Sequence, residues 1–295
     1  MNEKLSIIIP CYNEENSLRN FLPEVIKFCR KHHFRLILVD DGSTDNTQAL
    51  LKEYSPHDFT LIKNKVNRGY GGAIKAGIAA TDNIYIITID ADGQHYLEDV
   101  EKLYNEIISK DADMIVGRRN YAGGQSYYRG AGKWLIRKIA KLLLPLNIHD
   151  INSGMKIYNT SLAKKYLHLC PDTMAYSDII AMVFISQKHL VLETDIKVKP
   201  RASGKSAVNT MTAFETIREI LNIVVLFNPM RIFLPISLVS ILASLCWGIP
   251  IILKGRGVSV GAMLGITTGL IFFFLGLLAE QLSLIRKGNI KDSNN

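Results

Sequence analysis

Cysteine is scarce in this chain, which has 295 residues and only Cys11, Cys29, Cys170 and Cys246. Their positions show none of the short spacings that zinc or iron–sulfur ligation requires, so the sequence offers no cysteine-based metal centre. A disulfide framework is disfavoured as well. The main body of the chain is expected in the cytosol, where thiols stay reduced.

Two further signals are missing from the N-terminal half. The glycine-rich run at residues 69–72 lacks the G-x-G-x-x-G spacing, which argues against a Rossmann dinucleotide cofactor. No signal peptide is visible, because residues 1–3 lead directly into an apolar run. We therefore expect the part of the chain that precedes the membrane segments to remain in the cytoplasm.

Charge is absent from two long stretches near the C-terminus, Ile232–Leu253 with 22 residues and Gly257–Ala279 with 23. At about 1.5 Å per residue each helix is long enough to cross a hydrocarbon core of roughly 30 Å. The short connection at residues 254–256 predicts a hairpin with both ends cytoplasmic, although its two basic residues weakly oppose the positive-inside tendency. The net charge of +8 suits nucleic acid or an anionic membrane, and the two spans favour the plasma membrane.

Strand-like runs alternate with helical patterns through the first 117 residues. The expected strands are Leu5–Pro10, Arg35–Val39, Phe59–Lys63, Ile84–Ile89 and Asp113–Gly117. The expected helices begin at Ser17, which we assign as a cap, and at Thr44, after Gly72 and at Leu97. This order predicts an α/β fold with a parallel sheet and helices on both faces, so that the polar loops after the first, second and fourth strands share one edge.

The fourth strand ends in Asp90-Ala91-Asp92-Gly93-Gln94. Alternate side chains Asp90, Asp92 and Gln94 are expected to present three oxygens to one point, which suits Mg²⁺ or Mn²⁺ bridging a substrate phosphate. An EF-hand-like loop is the alternative suggested by Glu101 at the twelfth position. His95 at the sixth position and the preceding strand argue against it. Plain capping of a strand end stays open as the simpler interpretation.

Two amphipathic segments flank the second half of the main body. Residues 133–145 carry a basic arc formed by Lys133, Arg137, Lys138 and Lys141 opposite an apolar arc. Residues 211–229 show a second apolar face. Such helices are typical of a membrane interface, and ordinary surface helices are the alternative. The expected organisation is a catalytic domain at 1–210, an interfacial helix at 211–229, a hairpin at 230–287 and a tail at 288–295.

Six motifs in this order resemble a known family: Pro10-x-Tyr12-Asn13-Glu14, Val39-Asp40-Asp41-Gly42-Ser43-x-Asp45, Asn67-x-Gly69, Asp90-x-Asp92-x-Gln94, Asp150-x-x-Ser153-Gly154 and Arg201-x-x-Gly204-Lys205-Ser206. Together they resemble family 2 glycosyltransferases with the GT-A fold. With the C-terminal hairpin, the chain is similar to the polyprenyl-phosphate hexose synthases, the dolichol-phosphate mannose synthase group. The motifs cover about residues 4–210.

The resemblance implies a role for each matching residue. Pro10, Tyr12 and Glu14 would contact the nucleotide base, Asp41 the base or ribose, and Val39 and Ala91 would complete this binding set. The divalent metal on the donor diphosphate would be held by Asp90, Asp92 and Gln94. Arg118 and Arg129 would grip the acceptor phosphate, while Arg201 and Lys205 would reach the donor phosphates from a loop. Lys156 departs from the arginine common at its position.

The implied reaction is an inverting, metal-dependent transfer of a hexose from a UDP- or GDP-linked sugar to undecaprenyl or dolichyl phosphate. A lipid phosphate is already anionic at pH 7, so the attack needs no general base. If a side chain did act as a general base, Asp178 is the carboxylate that we would expect in that role. The identity of the sugar and the oligomeric state stay open, and a homo-oligomer is one alternative.

Two other functions are weighed against this one. A polysaccharide-extending family 2 synthase would carry a Gln-x-x-Arg-Trp segment, which is not found in this sequence. A catalytically silent membrane scaffold would be expected to have lost one of the acidic or basic motifs, and both are intact. The basic residues lie beside the membrane segments, which disfavours nucleic acid as a partner.

Overall fold

The structure is a computed structural model that describes residues 4–54, 57–119, 148–199, 221, 224–225 and 228–292. The described residues form two compact units. One unit joins the residues up to 119 with residues 148–199, and the other contains the two C-terminal helices.

Strands and helices alternate through most of the first unit. Their order is β1 (Leu5–Cys11), α1 (Glu15–His32), β2 (Arg35–Asp40), α2 (Thr47–Lys52), β3 (Thr60–Lys63), α3 (Tyr70–Ala79), β4 (Tyr85–Thr88), α4 (Leu97–Ser109), β5 (Met114–Arg119), β6 (Lys156–Asn159), α5 (Thr160–Tyr166), a 3₁₀ turn (Leu167–Leu169), α6 (Tyr176–Ser186) and β7 (Val191–Ile196).

The strands form one seven-stranded sheet in the order β3-β2-β1-β4-β6-β5-β7. β1 pairs in parallel with β2 and β4, β2 with β3, and β5 with β7. β6 runs antiparallel to both β4 and β5. The expected α/β fold is confirmed, and the five expected strands all run in the same direction. The sheet as a whole is mixed because β6, which was not expected, runs in reverse. β6 has only four residues and begins with a lysine, so its sequence lacks the apolar run that marks the other strands.

Proline 10 lies inside β1 and does not end it, because the strand continues to Cys11. Ile89 N donates to Ile8 O at 3.1 Å, so the backbone polar groups of Ile8 point towards β4. The backbone nitrogen of Pro10, two residues further along the strand, points the same way. The ladder with β4 ends at the pair of Ile8 with Thr88. The donor that Pro10 lacks therefore falls where β4 offers no ladder partner, which is where a strand tolerates proline.

The start of α1 differs from the expected serine cap. The helix begins at Glu15, and the backbone N–H groups at its start are satisfied from the loop after β2 and from the first residue of α2. Glu14 N donates to Thr47 Oγ1 at 3.0 Å and Glu15 N donates to Asp45 Oδ2 at 3.3 Å. Ser17 is therefore not the cap, because side chains remote in sequence satisfy these donors in its place.

The apolar core lies on both faces of the sheet. On one face Ile7 and Ile9 of β1 are fully buried against helices α1 and α4. On the opposite face Gly77 of α3 approaches β1 so closely that a Cβ there would lie 2.6 Å from Ile8 Cγ2. Each fully buried Ile side chain contributes about 1.5–3 kcal/mol. The expected placement of helices on both faces is confirmed, and it leaves the carboxyl edge of β1, β2 and β4 for polar loops.

The second unit contains two long apolar helices, α7 (Met230–Leu253) and α8 (Val260–Asp292). The segments Met230–Leu253 and Val260–Ile285 are long and apolar enough to cross a membrane, and few of their residues are buried within the protein. α8 begins at Val260, so the turn between the helices is longer than the sequence indicated. The two-helix hairpin itself is confirmed.

Glycines allow close contact along part of this hairpin. A Cβ on Gly269 would lie 2.5 Å from Ile241 Cγ1, and a Cβ on Gly265 would lie closer still to Ser244 Oγ. Ser240 Oγ also donates to Gly265 O at 2.8 Å across the helix pair. Gly257 lies before the helix and a Cβ there would meet nothing within 4 Å, so it takes no part in this packing.

Candidate active site

The acidic motif lies just beyond the end of β4. Thr88 is the last strand residue, and the chain then turns through Gly93, which has a φ of 69°. Gln94 N donates to Asp92 Oδ1 at 3.1 Å within this turn. The positive φ bends the backbone of this turn, which lies at the carboxyl edge of the sheet. That the side chains of Asp90, Asp92 and Gln94 present their oxygens to one point stays a prediction.

The Asp90 carboxylate is held from several sides. Tyr70 Oη donates to Asp90 Oδ1 at 3.1 Å, and His95 Nε2 lies 3.5 Å from Asp90 Oδ2. Gly154 backs onto the same carboxylate, since a Cβ there would lie 2.3 Å from Oδ2. Burial acts to raise the pKa of Asp90, but hydrogen bonds from His95 and Tyr70 and the charge of Arg119 outweigh it and leave the pKa lowered. Asp90 is thus an oriented, ionised carboxylate.

These residues fit a divalent cation of the magnesium type. The donors are two carboxylates and an amide, which are the oxygen ligands that Mg²⁺ and Mn²⁺ prefer. Because Gly154 has no side chain, there is room for the Asp90 carboxylate beside it. Among the residues that the structure describes, no cluster of three or more His, Cys, Asp or Glu side chains is arranged for a metal. The expected set contains only two such residues, so this finding does not test it.

The loops after β1 and β2 are joined into one surface. Asn13, with a φ of 55°, accepts hydrogen bonds at Oδ1 from Thr44 N at 2.8 Å and Asp45 N at 3.3 Å. Ser43 Oγ in turn accepts from Asn13 N at 3.0 Å. Tyr12 stands beside this junction with 43% of its surface exposed, which leaves its ring available for stacking on a flat ligand.

Asp41 is only 3% exposed, and both of its oxygens accept hydrogen bonds. Oδ1 accepts from Asn64 Nδ2 at 2.7 Å and Arg68 N at 3.0 Å, and Oδ2 accepts from Gly69 N at 2.8 Å. The preceding Asp40 is fully buried and accepts from Ser43 N at 3.0 Å. The acidic pair at the end of β2 therefore fixes the surrounding loops, and Asp41 holds the segment that leads into α3.

Two neighbouring arginines at the end of β5 have different partners. Arg118 forms ion pairs with Asp195 and, at 3.7 Å, with Glu193. Arg119 binds Asp150 through Nε to Oδ2 and Nη2 to Oδ1, both at 2.8 Å. The hydrogen bond and charge of Asp195 raise the pKa of Arg118. The motif resemblance implies a role for Arg118 and none for Arg119, because the pairing of Arg119 with the Asp150 motif is visible only in the fold.

Arg119 belongs to the surroundings of the acidic turn. Its charge contributes to the lowered pKa of Asp90, whereas the charges acting on Arg118 come from Asp195 and Glu193. Burial acts to raise the pKa of Asp150, but the hydrogen bonds and charge of Arg119 leave that pKa lowered. A fixed positive charge therefore lies on the side of the sheet edge where Asp90 stands.

Lys156 is buried beneath this region with 1% of its surface exposed. Its Nζ donates to Ser153 O and to Ser177 Oγ, and Ser177 Oγ donates to Ser153 O at 2.8 Å. Burial lowers the pKa of Lys156 to about 8, against the opposing charges of nearby Asp178 and Asp150. This lysine ties the start of β6 to the first turn of α6, which carries Asp178.

The backbone just before the motif that begins at Arg201 is hydrogen-bonded to the acidic turn. Lys199 N donates to Gln94 O at 2.8 Å, and His95 forms a bridge with Val198. Arg129, Arg201, Lys205, the segment 133–145 and most of 211–229 lie outside the described residues. Their expected roles stay predictions.

Sequence comparison identifies the class to which this fold and site belong. Residues 6–167 match Glycosyl transferase family 2, and residues 228–285 match the GtrB C-terminal hairpin. The first match covers more than half of the chain. The chain belongs to glycosyl transferase family 2 and is a glycosyltransferase with a C-terminal hairpin.

Individual relatives agree with this assignment. The chain is 27% identical over 290 residues to undecaprenyl-phosphate 4-deoxy-4-formamido-L-arabinose transferase of Proteus mirabilis (strain HI4320), covering 96% of this chain and 87% of that protein. It is 30% identical over 184 residues, 56% of each chain, to dolichyl-phosphate beta-glucosyltransferase of Dictyostelium discoideum.

A solved structure is similar in fold. It is glucosyl-3-phosphoglycerate synthase from Mycobacterium tuberculosis in complex with Mg²⁺ and UDP, with a TM-score of 0.58 and 16% identity over 75% of this chain and 79% of that one. At this identity the likeness concerns the fold alone, and it confirms the expected GT-A architecture.

Proposed function

We propose that this chain transfers a hexose from a UDP- or GDP-linked sugar to a polyprenyl phosphate, with inversion, at the cytoplasmic face of the membrane. The observation that carries the proposal is the oriented acidic turn at residues 90–94 in a chain that also ends in two long apolar helices. The relatives named for undecaprenyl-phosphate and dolichyl-phosphate transfer support the acceptor class. The identity of the hexose is left to experiment.

In this proposal the donor diphosphate binds at the carboxyl edge of the sheet. Asp90, Asp92 and Gln94 would hold Mg²⁺ or Mn²⁺, which when bound stabilises the negative charge on the departing nucleoside diphosphate. Tyr12 would stack on the base, with Pro10, Glu14, Val39 and Ala91 around it. Arg201 and Lys205 would contact the phosphates. Asp41, with its oxygens already accepting loop donors, would act mainly by shaping this edge.

The acceptor phosphate would be bound by arginines. Arg118 and Arg129 are the residues that the resemblance supplies, and we add Arg119. Its charge acts on Asp90, and Asp150 fixes its guanidinium in one orientation. A planar guanidinium suits phosphate recognition because it presents several donors in a rigid fork.

The chemical step then needs positioning more than proton transfer. An oxygen of the lipid phosphate forms a bond to the anomeric carbon as the bond from that carbon to the diphosphate breaks, so the sugar inverts. The phosphate is already ionised near neutral pH, and no proton has to leave the nucleophile. Asp178 would orient the sugar or support binding without acting as an essential base.

The direct test uses the purified full-length chain with undecaprenyl phosphate and a panel of radiolabelled nucleotide sugars. We expect one sugar to enter the lipid fraction in a reaction that EDTA stops reversibly and that Asp92→Ala abolishes. Full transfer in excess EDTA would overturn the metal assignment. Failure of every donor, in a folded chain that binds no nucleotide sugar, would instead support the scaffold alternative.

A further inference from the structure

Tyr70 is the first residue of α3 and donates its hydroxyl to Asp90 Oδ1 at 3.1 Å. We propose that Tyr70 is a positioning residue that fixes the Asp90 carboxylate for a divalent cation, and that Asp41 supports it by holding the segment that ends at Tyr70. This inference rests on the proposed metal site. It gives Asp41 a role that does not depend on touching a nucleotide.

The direction of the hydrogen bond is determined by chemistry. An ionised carboxylate only accepts, so the phenol must donate. Burial of the phenol and the charge of Asp90 raise the pKa of Tyr70 well above its ordinary value, which keeps the proton on the hydroxyl. The donated bond leaves Asp90 Oδ1 further lone-pair capacity for a cation.

The backbone on both sides of Tyr70 is immobilised. On the N-terminal side, the Asp41 carboxylate accepts from Arg68 N and Gly69 N. On the C-terminal side, Gly72 N donates to Asp172 O at 3.1 Å. The backbone of Tyr70 is therefore held in place, and its hydroxyl restrains rotation of the Asp90 carboxylate.

The glycines around Tyr70 show how tightly this segment is packed. Gly69 has a φ of 89°, and a Cβ there would lie 2.6 Å from Asp172 O. A Cβ on Gly71 would lie 2.4 Å from Pro171 O. The segment 171–172 thus packs tightly against the start of α3. Because this packing leaves the start of α3 little freedom, a displacement of Asp41 would also displace the hydroxyl of Tyr70.

Tyr70 is the closer of two side chains that restrain the carboxylate. His95 Nε2 lies 3.5 Å from Asp90 Oδ2, beyond a strong hydrogen bond, whereas the Tyr70 contact is 3.1 Å. Hydrogen-bond partners of metal ligands typically change metal affinity about 10–100-fold when they are removed. Because His95 would still restrain the carboxylate, we expect about a tenfold loss on removing the Tyr70 hydroxyl.

The experiment titrates the purified full-length chain with Mn²⁺ alone and follows the free ion by electron paramagnetic resonance. Tyr70→Phe removes one oxygen and is expected to weaken Mn²⁺ binding about tenfold. Tyr176→Phe is the matched control, because it removes the same oxygen from a buried tyrosine whose hydroxyl lies 3.5 Å from Tyr158 Oη. The control should bind Mn²⁺ as the wild type does. Equal affinity in Tyr70→Phe and the wild type would overturn the role of Tyr70.

Two further arms separate this inference from the proposed function. Asp90→Asn should abolish the binding. If Asp90→Asn binds normally, or the wild type binds no Mn²⁺, the proposed metal site fails and the inference with it. Asp41→Asn should also weaken Mn²⁺ binding severalfold in the absence of any nucleotide. Unchanged Mn²⁺ affinity with weaker UDP or GDP binding would show that Asp41 acts on the nucleotide alone, and would overturn its supporting role.

Discussion

Arg119 holds the carboxylate of Asp150 through two hydrogen bonds of 2.8 Å each. Asp150 is itself fixed, because its backbone N–H and that of His149 donate to Glu193 Oε1 at 2.7 Å and 2.9 Å. The guanidinium therefore has one orientation that three elements determine. A charge with this degree of order is suited to bind an anionic substrate group without further loss of side-chain entropy.

The first prediction compares the two arginines of β5. Arg119→Ala should raise the KM for undecaprenyl phosphate about 10–100-fold, since a hydrogen bond to a charged group contributes about 1.5–3 kcal/mol. Arg118→Ala should have a smaller effect, because the charges that act on Arg118 come from Asp195 and Glu193, whereas the charge of Arg119 acts on Asp90 of the acidic turn. Steady-state kinetics with the donor held saturating measures both. A larger effect of Arg118→Ala would restore the assignment made from the sequence.

The second prediction concerns the space beside Asp90. Gly154→Ala would place a methyl group 2.3 Å from Asp90 Oδ2, so the carboxylate has to move. Turnover should fall at least about tenfold, in line with disturbance of a metal ligand's surroundings.

Gly261→Ala is the control for Gly154→Ala, because its new methyl group would lie 3.7 Å from Ser259 Oγ, an ordinary van der Waals distance. Activity should be retained in this control. Wild-type turnover in folded Gly154→Ala would show that the position of Asp90 has no effect on transfer.

The third prediction follows from the pKa of Lys156, lowered by burial from 10.5 to about 8. Between these two pH values the unfolded chain binds more protons than the folded chain, so stability attributable to this lysine rises with pH. One pKa unit corresponds to about 1.4 kcal/mol, so the full effect is of order 3 kcal/mol.

This pH effect is measured as the difference in Tm between wild type and Lys156→Met at pH 8 and at pH 10. The difference should shift in favour of the wild type at the higher pH. A difference that is the same at both pH values would mean that Lys156 keeps an ordinary pKa in the folded protein.

The fourth prediction concerns the orientation of the hairpin. A cysteine-free variant with Arg256→Cys should be labelled by an impermeant maleimide from outside intact cells. Arg256 is preferable to Gly255, whose φ of 68° would strain a cysteine. A variant with Asn294→Cys should be labelled only after the cells are opened. The reverse pattern would place the catalytic domain on the outer side.

Much of the fold was predictable because local patterns determine it. α4 was predicted with its observed start at Leu97, and the strand that precedes the acidic turn was predicted from its β-branched run. β6 was missed because four residues starting at Lys156 carry no strand pattern of their own. Its place in the sheet is set by pairing with β4 and β5.

The candidate site was predictable as a set of motifs and less so as a set of roles. The sequence identifies Asp90, Asp92 and Gln94 by spacing. It does not show that Tyr70, twenty residues earlier, donates to Asp90, or that Asp41 accepts from the segment before α3. Such contacts depend on how separate loops meet at one sheet edge, which spacing in a single chain does not encode.

The central claim is that an ionised lipid phosphate is the acceptor, and the most direct measurement compares acceptors. Purified wild type and Asp178→Asn are each supplied with the donor and with either undecaprenyl phosphate or undecaprenol, and turnover is followed against pH. We predict transfer to the phosphate only, with a modest loss in Asp178→Asn. Transfer to undecaprenol, together with a loss of about 10²–10⁴-fold and of the basic limb in Asp178→Asn, would show that Asp178 is a general base and contradict the claim.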